Sequence, residues 1–133
     1  MTRIESDKKE IAYSAETIFS FITNFQNFES LLPADKVENF KYTEDSCSFR
    51  IKGMTDIGLK RVAATPNSLV YLDSYGKVPF KFTLNLYLQD KGEQTAAHLI
   101  FDGEINPFMK MMVETPLTNF FNMLVDKLVE KFN

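Results

Sequence analysis

The chain predicts an α+β fold in which a curved antiparallel sheet closes on a long C-terminal helix, and three observations carry that prediction. From Lys36 onward the apolar residues recur with period two through six short runs. Hairpin-sized turn signals separate these runs, so consecutive strands are neighbours and antiparallel. After Asn106-Pro107 the period changes: Leu117, Phe121, Leu124 and Leu128 fall on one stripe, widened by Phe120, Val125 and Phe132. That is the 3.6-residue spacing of a helix laid on a sheet.

In chain order, Arg3 to Ala12 reads as a first strand. It runs into a helix start at Tyr13-Ser14-Ala15-Glu16-Thr17-Ile18. Ser14 is placed to cap the free amides, Glu16 suits the positive helix end, and Tyr13 is positioned to staple onto Ile18. Ile18, Phe19, Ile22 and Phe25 give the helix its apolar side, and a second short helix, Asn27 to Leu32, stops before Pro33. The six later strands are expected at Val37 to Thr43, Ser46 to Lys52, Thr55 to Ala64, Ser68 to Tyr75, Phe80 to Gln89 and Thr95 to Ile105. Between them stand Glu44-Asp45, Gly53, Thr65-Pro66-Asn67, Gly76-Lys77 and Asp90-Lys91-Gly92. The clearest alternation sets Phe80, Phe82, Leu84, Leu86 and Leu88 against Lys81, Thr83, Asn85, Tyr87 and Gln89. That strand is expected to have one buried and one mostly wet face.

Composition bounds the function. The 133 residues make one expected domain, 1–133, long enough for a real core. Thirteen Phe, five Tyr and six Met with no Trp supply an interior of aromatic and deformable groups, suited to a core or to an apolar cavity. A net charge of -3 with interspersed Lys and Arg opposes nucleic-acid binding. The N-terminus is charged and no eighteen apolar residues run together, which predicts a cytoplasmic protein without stable membrane insertion. The single cysteine, Cys47, alternates with Phe49 and Ile51 and reads as a small buried hydrophobe.

The order strand, helix, helix, six strands, long helix resembles the helix-grip fold of the birch-pollen-allergen and START-related superfamily, in its bacterial polyketide-cyclase and lipid-transport branch. The likeness spans nearly the whole chain. It rests on the entry Ile11-Ala12-Tyr13-Ser14-Ala15-Glu16-Thr17-Ile18-Phe19, on the Phe25 to Leu32 segment and on the final Asn106 to Phe132 helix. The resemblance implies a curved seven-stranded antiparallel sheet gripping the last helix, with a cavity between them for a lipid, sterol, polyketide or other small hydrophobic molecule. Ser14 stands where the family often has Pro.

Within that frame, the more apolar face of each element nominates Phe49, Leu59, Phe82, Leu84, Phe101, Met112 and Phe120 as cavity lining. Pro116 breaks the helical hydrogen-bond ladder. Either Phe108, Met109, Met112 and Val113 then form a lid over the cavity mouth, or the bend wraps the helix around a curved sheet. Arg61 shares a strand face with Ile57 and Leu59; facing inward it needs a carboxylate, water or an anionic ligand group, and the parity of Ile11 offers Glu5 and Asp7. A bulge would instead send it to solvent. His98 alternates with Ala96, Ile100 and Asp102 and so points away from the cavity, whereas the face of the Tyr71, Asp73 and Tyr75 stripe stays open. Neither a phosphate loop nor a nucleophile elbow is present, and no metal-ligand spacing or cofactor motif accompanies the lone His and Cys. The leading expectation is a binding module for a small hydrophobic molecule, acting as monomer or homodimer. Its competitors are a cyclase or aromatase acting on a polyketide-like chain and a co-chaperone-like interaction module.

Overall fold

The computed structural model of the protein describes residues 1–76 and 78–132, so that Lys77, half of the expected Gly76-Lys77 turn, lies outside the described residues. Eight strand segments form one antiparallel sheet: β1 (Thr2–Glu5), β2 (Lys9–Ile11), β3 (Val37–Tyr42), β4 (Ser46–Ile51), β5 (Thr55–Thr65), β6 (Leu69–Ser74), β7 (Phe82–Asp90) and β8 (Thr95–Gly103). Their order is β1-β8-β7-β6-β5-β4-β3, with β2 also on β8, so the seven expected positions are present and two segments share the first. The helices are α1 (Ala15–Ile22), α2 (Phe25–Phe28), which a 3₁₀ turn at Glu29–Leu31 continues, and α3 (Pro107–Phe132).

The first strand departs from expectation. Ser6, Asp7 and Lys8 interrupt it, standing opposite only Leu99 and His98 on β8. One extra residue in a strand exchanges its two faces beyond the bulge. Ile4 is therefore buried before the break and Ile11 after it, although one position is even and the other odd. The parity that offered Glu5 and Asp7 as inward partners for Arg61 is thereby overturned; both are exposed. Ser6 holds the break in place: its N–H donates to the Leu99 carbonyl at 2.9 Å and its Oγ accepts from the Leu99 N–H at 2.8 Å. Asp7 donates its N–H to Asn122 Oδ1 on α3 at 2.7 Å.

The alternation of the other strands turns Cys47, Phe49 and Ile51, Ile57 and Leu59, Val70 and Leu72, Phe82 to Leu88, and Ala97 to Phe101 toward one side. The stripe of α3 covers that side with Leu117, Phe120, Phe121, Leu124, Val125 and Leu128, all buried. Ser14 caps α1 as expected, accepting from the Thr17 N–H at 3.3 Å. The Tyr13 ring lies against Phe132, its centroid 5.4 Å away, and so pins the two helix ends together. Asn106 caps α3, accepting from the Met109 N–H at 2.8 Å, with Pro107 at the first helical position where its missing donor costs nothing. The first turns of α3 overhang the sheet: Phe108 is 73% exposed and Met111 86%.

Candidate functional site

Six of the residues predicted to line a cavity, Phe49, Leu59, Phe82, Leu84, Phe101 and Phe120, converge between the sheet and α3. They leave a space of only about 10 Å³ between them. Aromatic packing fills the rest. Phe120 stacks on Phe49 with centroids 6.1 Å apart, Phe121 meets Phe101 at 5.4 Å, and Phe101 stacks on Phe82 at 5.2 Å. Interiors at this density hold side chains rather than ligands. A second void of about 30 Å³ lies deeper, against Leu86, Leu99 and Leu128.

The most apolar open volume lies instead at the overhanging end of α3, beside a more polar hollow of about 430 Å³ between Lys36, Asn119 and Met123. A groove of about 380 Å³ runs between the β4–β5 turn and the helix, with Met54, Phe80 and Phe101 on the sheet side and Met109, Met112 and Val113 on the helix side. Its size is within the range of small-molecule sites, and about two and a half times the ~150 Å³ in which an engineered apolar cavity holds benzene. Local sequence builds both walls. Gly53 takes φ 74, a left-handed turn conformation that swings Met54 back over the groove. Pro79 and Phe80 lie just ahead of β7 rather than within it, and Phe80 packs edge-on against Phe101 at 6.2 Å. Lys52 and Thr55 bring polar groups to its lining.

Of the nominated residues, Phe101, Met109 and Met112 thus reach the groove, while Phe49, Leu59, Phe82, Leu84 and Phe120 stand behind it. Met54, Phe80 and Leu117 were not nominated. A signal for Met54 existed in retrospect, since it is a large apolar side chain in a turn otherwise made of Lys52 and Gly53.

Arg61 lies on the same face as Leu59 and is partly buried, but its fork is already engaged. One guanidinium nitrogen donates to the Thr23 carbonyl at the end of α1, the other to the Glu44 carbonyl at 3.4 Å, and the group sits over the Phe25 ring at 5.7 Å. It binds the α1–α2 corner to the sheet rather than meeting Glu5 or Asp7. The bulge foreseen near it falls immediately after it, between Arg61 and Ala63, and leaves Val62 59% exposed.

The remaining candidates lie off the groove. His98 stacks on Tyr87 on the outer face at 5.2 Å; burial pushes its pKa below the ordinary imidazole value, Lys8 lowers it further, and Glu5 opposes both. Tyr71 and Tyr75 are exposed on that outer face, which settles the stripe left open by the sequence. Burial pushes the Cys47 thiol up to about 12, leaving it protonated and inert. A larger hollow of about 550 Å³ on the outer face is lined by Lys41, Arg50 and Asp56, with Arg50 paired to Asp56 at 3.3 Å. Phe49, Ile57 and Tyr75 also border it, but its lining is more polar than that of the groove. Among the described residues, no group of three or more His, Cys, Asp or Glu side chains is placed to hold a metal ion. No helix among them is long and apolar enough to cross a membrane.

No family model and no curated protein matches the sequence. Solved structures do match. A START superfamily protein from Mycobacterium smegmatis superposes with a TM-score of 0.75 at 16% identity, covering 98% of this chain and 96% of that one. A norcoclaurine synthase point mutant from Thalictrum flavum, in complex with a transition-state analogue, gives 0.78 at 12% identity, covering 98% and 93%. The protein XoxI from Bacillus cereus gives 0.75 at 12% identity, covering 99% and 96%. These likenesses establish the fold: the chain has the helix-grip architecture of START and birch-pollen-allergen-type proteins.

Proposed function

We propose that the protein binds a small hydrophobic molecule, lipid-like or polyketide-like, in the groove at the start of α3. The observation that carries this reading is the groove itself: about 380 Å³ walled by Met54, Phe80, Met109, Met112 and Val113, beside a core that is otherwise closed. Thioethers on both walls can repack around varied apolar shapes. The polar set that a cyclase would need is elsewhere, since Arg61 is held by Thr23 and Glu44 and the tyrosines Tyr71 and Tyr75 face outward. Binding and carriage therefore fit better than carbonyl activation, and the reading calls for neither metal nor cofactor.

The test is titration with an environment-sensitive apolar dye. One saturable site is expected in the wild type, and it should be lost in Met112→Glu, which places a carboxylate on the groove wall. Met112 is 62% exposed, so the variant should fold normally. Unchanged dye binding in Met112→Glu would place the site elsewhere and sink the reading.

A further inference from the structure

The groove and the two inner voids lie in series. Ile57, Phe101 and Leu117 border both the groove and the 10 Å³ space behind it, and Phe28, Leu84 and Leu124 border both that space and the deeper 30 Å³ void. The first three are thus a partition one side chain thick between an open groove and a line of packing defects running toward Leu128.

The three differ in their freedom to yield. Ile57 is held within the sheet, on β5, and pairs with Phe49. Phe101 is wedged: a methyl group on Gly103 would fall 2.7 Å from its ring, so the ring already occupies the space that the glycine leaves. Leu117 is on the helix, immediately after Pro116, where the ladder has no N–H to reach the Met112 carbonyl. A helix turn lacking its bond is the part of α3 that deforms at least cost.

We propose that Leu117 is the specificity-determining partition of the groove: its side chain sets the greatest length of unbranched apolar chain the site accepts, by closing the path from the groove to the inner voids. The inference rests on the groove being the binding site. It assigns to Leu117 a role distinct from that of Leu86, which borders only the deepest void.

The experiment is displacement of the apolar dye by straight-chain primary alcohols from hexanol to hexadecanol, on wild type, Leu117→Ala, Leu117→Val and Leu86→Ala, with thermal unfolding to verify that each is folded. In the wild type, affinity should rise about fourfold per methylene until the groove is full and then level off. Leu117→Ala should move that break to chains longer by two or more carbons, raising affinity for the longest alcohols roughly tenfold or more. Leu117→Val should move the break less, and it supplies the answer if the alanine variant does not fold. Leu86→Ala should leave it in place. A break at the same length in the Leu117 variants overturns the proposal, as does an equal shift in Leu86→Ala, which would mean general loosening. If no alcohol displaces the dye from the wild type, the groove reading itself has failed.

Discussion

The two ends of α3 are packed in opposite ways. From Leu117 to Leu128 the helix presents six buried side chains to the sheet, and the space they enclose has been reduced to about 10 Å³ and 30 Å³. From Phe108 to Met112 the same helix overhangs, with three large apolar groups 62% to 86% exposed. The helix is continuous through Pro116, so the change is not one of secondary structure. It is a change in what the sheet offers: Leu84, Leu86 and Leu99 of β7 and β8 pack beneath the second half, whereas the first half faces the β4–β5 turn, Phe80 and Phe101 across an open groove. One element thus holds the core shut at one end and keeps a surface available at the other.

That contrast can be broken first at Leu124, which borders both inner voids. Leu124→Ala should cost about 2–5 kcal/mol in urea denaturation, because the aromatic neighbours leave little room to collapse into the new space. A loss well under this range would mean that the closed half is loosely packed. Arg61 should show the next effect. Arg61→Met removes the donors to Thr23 and Glu44 and should cost about 1–3 kcal/mol, while the affinity ratio between a fatty acid and its alcohol stays unchanged. A changed ratio would bring Arg61 back into the site.

At the open end, Met111→Ser should alter stability by less than about 0.5 kcal/mol, since Met111 is 86% exposed. A larger loss would show that the overhang packs against something in solution. The smallest effect concerns His98. Its folded pKa is lowered, so the unfolded chain binds the proton more readily, and stability should fall as pH drops through the ordinary imidazole range near ~6.5. Comparing denaturation on either side of that pH in wild type and His98→Gln measures it; an identical slope in both would remove His98 as the cause.

Most of the architecture was legible because burial imposes period on sequence. The stripe of α3 and the alternation of Phe82, Leu84, Leu86 and Leu88 are recorded in the chain and reappear as buried faces. The first strand was misread at Ser6 because a bulge shifts parity without any residue type that announces it. For Arg61 the face was readable and the partner was not, since the acceptor is the backbone of Thr23, 38 positions away, and every residue carries a carbonyl. The site was legible only as a set of inward faces. Whether facing side chains leave room is a matter of summed volumes, and a row of phenylalanines reads the same in the sequence whether it walls a cavity or fills one.

The Ser6–Lys8 interruption bears on how the chain must assemble. Asp7 is tied to Asn122 across 115 positions, and among the described residues β1 and β2 pair with β8 alone. The β3-to-β8 hairpins can zip up locally, each closing a short loop, but the last position of the sheet fills only when β1 and β2 reach the distant β8, with Thr2 opposite Gly103. Until then β8 carries a row of unpaired amides and carbonyls at the margin of a growing sheet, an adhesive surface toward other chains. The late step in refolding should therefore be the docking of the first ten residues. Its rate should govern how much protein reaches the native state before aggregation takes it.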